Sequence, residues 1–393
     1  MTMEPKRKGV EVSIAISEAV MQCDVDCIAA YPITPQTHIV EHLADLVAEG
    51  ELNAEFIPVE SEHSAMSVCC GTSAAGARTF TSTSSQGLAL MSEIVFIAAS
   101  LRLPIVMALV NRSLSGPLSI WNDHSDVMSI RDCGWVQVFV ENGQEAYDHT
   151  FFCFRVAEDP KVQLPVALNI DGFILSHMIE PIVYVEQEKI NQYLPRFQPT
   201  RRLHPDKPVT MGAFAMPDIY TETRMAQDAA LCDSISVIRR AWQEWKDLTG
   251  REYHTVESYR TEGAKTIVVI MGSLAETAGV AVDALRSKGE AVGLVSIRLW
   301  RPFPVEDFLA AVKDAETLVV IDRALSFGFG GPLAGEVRSQ LYRQPKRPKV
   351  VNYIAGLASR DVQPNDFVEM IKRGREKADA GREDGYELYG VRS

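Results

Sequence analysis

Three side chains of complementary chemistry stand just past apolar runs: Thr34 in YPITPQT, Glu62 in VESEH and Arg112 in VNRSLSGPLSIWNDHSD. The runs read as strands, and in open α/β sheets ligands gather at the carboxyl ends of strands. Arginine presents a planar fork that matches a carboxylate bidentately, so Arg112 suits a carboxylate clamp; a salt bridge to Glu60 or Asp126 is the alternative. A buried glutamate must be protonated or paired, and a heterocyclic ring nitrogen is one good partner for Glu62. Equally, Glu60 and Glu62 suit the first turn of a helix, where a carboxylate gains about 0.3–1 kcal/mol. Were the strand to continue through them, one would turn inward and the other to water. Pro32 and Pro35 stiffen the loop, either to hold the Thr34 hydroxyl against a substrate or simply to make a rigid turn.

The hydroxyl run of FTSTSSQG, Thr81 to Ser85, exceeds what a helix cap needs. One serine is expected to cap the next helix, leaving the others for a polar ligand. His124 in NDHSD lacks zinc-ligand spacing, which favours a hydrogen-bonded loop, and no metal ligand is assigned to this chain. FGFGGPLAG lacks the G-x-G-x-x-G spacing of a dinucleotide loop, and no G-x-x-x-x-G-K-S/T occurs. Arg298 and Arg301 flank Trp300, where they pin a domain or subunit contact or meet a phosphate.

Alternating strands and helices must position these groups. Strands are expected at CIAAYPI, AEFIPVES, LPIVMALVN and LPVALNIDG. Helices are expected at EVSIAISEAVMQC, HIVEHLADLVAEG, EHSAMSVCCGTSAAGA, Leu88 to Ser100 and Gln144 to Ala157. This alternation implies a mostly parallel sheet covered on both faces. From Glu180 to Gly263 the pattern breaks into an extended, proline-punctuated linker and a long helix ending at Gly250, with Trp242 and Trp245 on one packing face. From Ala264 a second α/β unit begins, with strands at TIVVIMGS, AVGLVSIRLWRPFP, ETLVVIDR and KVVNYIAGL. The polar tail from Gly374 is expected to be poorly ordered or to lie on a partner.

The 393 residues suffice for two or three domains. A net charge of -13 argues against a nucleic-acid or anionic-membrane surface. No apolar run approaches the about 20 residues of a membrane span. MTMEPKRKG has a basic start without an apolar stretch after it, so no secretory signal and a cytoplasmic location are expected. Seven cysteines without any C-x-x-C imply reduced thiols and no iron–sulfur cluster held by this chain alone.

Taken in order, YPITPQT, ESEHSAMSVCCGTSAAGARTFTSTSSQGL, NRSLSGPLSIWNDHSD, LPVALNIDGF, HPDKPVTMGAFAMP and LWRPFPVE resemble the alpha chains of 2-oxoacid:ferredoxin oxidoreductases. The resemblance is strongest to the pyruvate branch (pyruvate synthase) and spans roughly residues 11 to 360. It implies an α/β chain with a thiamine-diphosphate-binding, pyrimidine-type domain and its linker over residues 1–255, then a transketolase C-terminal-like domain over residues 256–393. It implies that Glu62 hydrogen-bonds the pyrimidine ring of thiamine diphosphate, that Thr34 and Arg112 contact the oxoacid, and that Pro32 lines the same pocket. The G-D-G diphosphate and magnesium fingerprint is absent, NIDGF not being that motif, which suits a cofactor shared with a beta subunit. Mg2+, 4Fe-4S clusters and coenzyme A recognition then fall mainly to partner beta, gamma and delta subunits, with electrons passing to ferredoxin. The implied reaction is the reversible, coenzyme A-dependent oxidative decarboxylation of pyruvate to acetyl-CoA and CO2. Its alternatives are the same chemistry on 2-oxoglutarate, a branched-chain oxoacid or oxalate, a thiamine enzyme without electron transfer, and a non-catalytic scaffold subunit.

Overall fold

The structure is a computed structural model that describes residues 7–392. The expectation for MTMEPKRKG falls largely on residues 1–6, outside the described residues. The chain runs β1 (Arg7–Glu11), α1 (Val12–Gln22), β2 (Cys27–Ala30), α2 (Thr37–Ala48), β3 (Glu55–Pro58), α3 (Glu62–Ala75), β4 (Thr79–Thr83) and α4 (Ser85–Ser100). It continues with β5 (Ile105–Asn111), α5 (Ser125–Ser129), β6 (Val136–Phe139), α6 (Gly143–Ala157), β7 (Val166–Asp171), β8 (Ile179–Val183), α7 (Gln187–Tyr193) and α8 (Pro217–Thr249). The second unit adds β9 (Val256–Tyr259), β10 (Thr266–Ile270), α9 (Leu274–Arg286), β11 (Val292–Ile297), β12 (Leu299–Arg301), α10 (Val305–Val312) and β13 (Thr317–Asp322). It ends with α11 (Pro332–Leu341), β14 (Lys349–Ile354), α12 (Pro364–Asp379) and β15 (Glu387–Leu388).

The first sheet has the order β12-β6-β7-β5-β4-β2-β3. All its pairings are parallel except β12 on β6. Every residue of β4, β5 and β7 is buried, the pattern of strands covered on both faces. One face carries α1, α2 and α6 and the other α3 and α4. The long helix α8 starts on Pro217 and stops at Gly250, whose φ of 77° gives the left-handed cap that glycine adopts without strain. Its Trp242 and Trp245 are buried and stack on Phe152 and Phe151 of α6. The second sheet, β15-β14-β13-β10-β11-β9, is parallel except for β9.

Several expectations are corrected. The start of the expected linker is a strand: Ile179–Val183 pairs antiparallel with β1, opposite Arg7 to Glu11. AVGLVSIRLWRPFP is two strands broken at Arg298, the second crossing to the edge of the first sheet. The tail lies on this chain's own second sheet. There β15 pairs with β14, Glu387 takes Arg373 and Lys377, and the Tyr389 hydroxyl donates to Asp366 at 2.9 Å. These charge pairs explain how so polar a segment is held.

Candidate active site at the edge of the first sheet

The strands β5, β4, β2 and β3 are consecutive neighbours and parallel. With neighbours about 4.8 Å apart, the four carboxyl ends span roughly 15 Å. Arg112, the hydroxyl run, the Thr34 loop and Glu62 follow these four ends in that order.

The loop after β2 is tied down from within. Gln36 is fully buried; its Nε2 donates to the Tyr31 carbonyl at 2.8 Å, and its Oε1 accepts from Ser82 Oγ at 2.8 Å. Pro35 follows a cis Thr34–Pro35 peptide and packs on Gly172, where an added Cβ would sit 2.7 Å from Pro35 Cγ and 2.4 Å from the Asn111 carbonyl oxygen. Pro32 and Thr34 are left exposed at the tip. The loop is therefore both a rigid turn and a platform.

Of the two readings for Glu60 and Glu62, the strand does not continue through them; Glu62 opens a helix, and the helix start sends the two carboxylates apart. The strand stops at Pro58, and Ser61 caps α3, accepting from the Ser64 amide at 3.2 Å. Glu60 stays outside, where a hydrogen bond from the Ser64 hydroxyl lowers its pKa. Glu62, the first residue of α3, is only 7% exposed, yet its carboxylate has no hydrogen bond or ion pair among the described residues. Gly87 on α4 makes the room: a Cβ there would lie 2.8 Å from Glu62 Oε1 and 2.4 Å from Thr83 Oγ1. The small residues of TSTSSQG thus let a carboxylate approach a helix start closely.

Arg112 is 6% exposed and donates from Nε to the Ser119 carbonyl and from Nη1 to the Thr34 carbonyl, each at 2.9 Å. No carboxylate reaches its guanidinium within 4.0 Å among the described residues, so neither Glu60 nor Asp126 forms the alternative salt bridge. Burial lowers its pKa, partly offset by the nearby Asp126 charge. Asp126 instead takes the Arg112 amide at 2.9 Å, the Ser85 amide at 3.1 Å, the Val127 amide at 2.7 Å and Asn111 Nδ2 at 3.0 Å. Burial raises its carboxyl to about 7 despite these four donors. Asp126 therefore fixes the end of β5 against the start of α4.

The hydroxyl run divides sharply. Thr81 bonds the Ala29 carbonyl, Ser82 bonds Gln36, and Ser85 bonds the Ser113 carbonyl. The expected serine cap is absent: Ser84 occupies the cap position of α4 but its side chain caps nothing, while Asp126 takes the Ser85 amide and the Ser84 carbonyl takes the Gly87 amide. Thr83 Oγ1 and Ser84 Oγ are buried without a partner. Buried hydroxyls left unpaired cost about 1–3 kcal/mol each and call for a ligand or ordered water.

Farther along the same edge a buried carboxylate is paired at both oxygens, although Arg323 Nε beside it has no partner among the described residues. His124 Nε2 lies 2.7 Å from Asp171 Oδ1, and Asp171 Oδ2 accepts from Arg323 Nη1 and the Ser273 amide, both at 2.8 Å. Burial opposes the Asp171 charge, but Arg323 and His124 hold its carboxyl well below the usual range. His124 is thus part of a hydrogen-bonded loop that joins the ends of β7, β10 and β13. Arg298 pins the same two units through Glu145 of α6 and Glu257 of β9. Burial works against its charge, and the two glutamates more than restore it, raising its pKa. Arg301 pairs with Glu336 at 3.0 Å and lies over the Trp300 ring.

The structure brings Thr34 and Arg112 into direct contact, through the Thr34 carbonyl. It sets Glu62 on the same edge with no bond to either. Sequence reasoning missed Gln36 and Gly87, and named Asp126 only as a salt-bridge partner of Arg112, whereas it takes the Arg112 amide. For Gly87 the small-residue helix start was the available signal; Gln36 left none.

A family model described as pyruvate flavodoxin/ferredoxin oxidoreductase, thiamine diphosphate-binding, matches residues 18–241. A second, pyruvate:ferredoxin oxidoreductase core domain II, matches residues 264–367. The chain is 48% identical to pyruvate synthase subunit PorA of Methanothermobacter thermautotrophicus, covering 93% of this chain and 94% of that one. It is 46% identical to the Thermotoga maritima PorA, covering 95% and 94%, and 40% identical to ketoisovalerate oxidoreductase subunit VorA of Pyrococcus abyssi, covering 97% and 96%. A solved 2-oxoglutarate:ferredoxin oxidoreductase from Magnetococcus marinus superposes with a TM-score of 0.71 at 20% identity, over 94% of this chain and 65% of that longer one. A split-gene transketolase superposes at 0.53 and 12% identity, over 93% and 98%. With the first family model, these two likenesses show a thiamine-diphosphate-binding, pyrimidine-type α/β domain plus a transketolase C-terminal-like α/β domain. The chain belongs to the pyruvate/2-oxoacid:ferredoxin oxidoreductase family, as an alpha subunit that works with partner chains.

Proposed function

We propose that this chain is the alpha subunit of a pyruvate:ferredoxin oxidoreductase, carrying the pyrimidine side of a thiamine diphosphate shared with a beta subunit. One observation carries this reading: Glu62 is nearly buried, has no protein partner, and faces the cradle that Gly87 opens beside the unpartnered Thr83 hydroxyl. A carboxylate so placed needs a donor, and the protonated nitrogen of a heterocycle supplies one. Bound there, thiamine diphosphate would supply the electron sink for decarboxylation of a 2-oxoacid. Glu62 would hold its ring by one charge-assisted hydrogen bond and so bias where the ring's proton resides.

Arg112 orients the oxoacid through its carboxylate. Two of its nitrogens are fixed on carbonyls, and its charge is unneutralised by any carboxylate within 4.0 Å among the described residues. Thr34 offers its hydroxyl from a loop whose shape Gln36 and Pro35 hold, and Pro32 lines the same mouth. Preorganised donors of this kind act most strongly where charge develops. Beside Arg112 the loop leaves Leu118 and Trp121 exposed, at 74% and 50%, a lip suited to cover by another chain. The partners are read as beta, gamma and delta subunits that hold Mg2+, the 4Fe-4S clusters and the coenzyme A site, with ferredoxin as acceptor and a cytoplasmic location. The boundary is set at residues 255/256, where β9 begins the second sheet.

Pyruvate is favoured as substrate because the relatives at 46–48% identity are pyruvate synthase subunits, against 40% for the ketoisovalerate subunit. The test is the native complex, purified through this chain and assayed for coenzyme A-dependent dye reduction with pyruvate, 2-oxoglutarate and a branched-chain oxoacid. The expected result is the highest kcat/KM on pyruvate; a higher value on another oxoacid overturns the assignment.

A further inference from the structure

On the outer side of the Thr34 loop, three residues from distant parts of the sequence meet. Glu11 ends β1, His38 sits in the first turn of α2, and His177 lies between β7 and β8. One ligand atom from each lies within 4.8 Å of the other two. We propose that Glu11, His38 and His177 form a binding site for one divalent transition-metal ion of the zinc class.

The backbone holds the three in place. The β1–β8 ribbon sets Glu11 opposite Ile179, two residues past His177. The Val12 amide donates to the Met178 carbonyl at 3.0 Å, and the Ser13 amide donates to the Ser176 carbonyl at 2.9 Å. Glu11 occupies the cap position of α1, yet its side chain caps nothing there. It reaches instead to His38, with Oε1 2.7 Å from Nδ1. The His38 and His177 rings face one another, with centroids 4.5 Å apart. Ser176 Oγ lies 2.8 Å from His177 Nδ1, which fixes that ring and leaves Nε2 open.

Two imidazoles and one carboxylate are a donor set that binds zinc-like ions, with bond lengths of about 2.0–2.2 Å. Tetrahedral ligand atoms are then about 3.4 Å apart. To reach that spacing Glu11 Oε1 and His38 Nδ1, now 2.7 Å apart, must part slightly, while no ligand atom starts more than 4.8 Å from another. Neutral imidazole is the ligating form. The Ser176 contact is the outer hydrogen bond that orients a ligating histidine. The three side chains are half-buried, so an ion can enter. An ion here takes the place of the direct Glu11–His38 contact. It clips the start of α2, four residues past Thr34, to the β1–β8 ribbon.

The test uses the full chain, stripped with a chelator and then titrated with Co2+, followed by visible absorption, and with Zn2+ by calorimetry. One ion per chain is expected, with a ligand-field spectrum of low coordination and a Tm that rises on Zn2+ addition. H38Q and H177Q should each weaken binding more than about tenfold, beyond the scale of losing an outer partner. Metal-free melts of both variants verify their folding. No bound ion in the wild type, or unchanged binding in the H38Q/H177Q double variant, would reduce the cluster to an ion pair and overturn the site.

Discussion

At the seam between the two sheets, Asp171 accepts from Arg323 and Ser273 and contacts His124, all within the chain. Along the same sheet edge, near the ends of β3 and β4, the Thr83 and Ser84 hydroxyls are buried without a partner, and the nearly buried Glu62 carboxylate has no hydrogen bond or ion pair among the described residues. Both sets are buried, so burial does not distinguish them. Pairing does. A buried charge that is fully paired fixes how two units dock, and its loss costs stability. A buried polar group left open is tolerated where a ligand completes it, and its loss costs activity. Substitutions along this edge should therefore sort into two classes, and a mixed outcome would break the contrast.

The largest effect is expected at the open end. Glu62→Gln in the reconstituted complex should cut turnover by about 10²–10⁴-fold, the range for a lost proton-handling group, while the Tm stays unchanged. Full turnover would remove Glu62 from the chemistry. At the paired end, Asp171→Asn should destabilise the chain by about 3–5 kcal/mol in denaturant melts, since it strands Arg323 and His124. Its pH dependence has a definite sign. The folded-state pKa of Asp171 lies below its unfolded value, so its contribution is complete above the ordinary carboxylate range and is lost as pH falls below it. The variant should lack that acid limb. Arg112→Ala should lower kcat/KM by about 2–5 kcal/mol in transition-state terms, with little change in Tm. Arg112→Lys should not rescue it, since lysine cannot hold the Ser119 and Thr34 carbonyls in one fork. The smallest effect is expected at Gly87→Ala. Its Cβ meets Glu62 Oε1 and Thr83 Oγ1, an overpacking worth about 1–3 kcal/mol, and cofactor affinity should fall more than stability.

The strands at β2, β5 and β7 were legible because continuous apolar runs mark strands buried on both faces. The strands β6, β8 and β9 were not: β6 carries a polar Gln137 within VQVF, and β8 and β9 are partly exposed. Thr34, Glu62 and Arg112 were legible as polar groups at strand ends, and family motifs supplied their roles. Their positioning was not legible. Asp126 serves the Ser85 and Arg112 amides from the separate short helix α5, and the Ser84 side chain at the cap position caps nothing. Glu11, His38 and His177 lie up to 166 residues apart and meet only through strand register. A single chain read without its contacts carries no signal of that kind.

The most direct measurement is a structure of the native complex with thiamine diphosphate bound, read at one distance. A pyrimidine ring nitrogen is expected about 3 Å from the Glu62 carboxylate, with the ring beside Gly87 and Thr83. A ring seated elsewhere, with the Glu62 carboxylate still lacking a donor, would contradict the assignment of this edge as the active site.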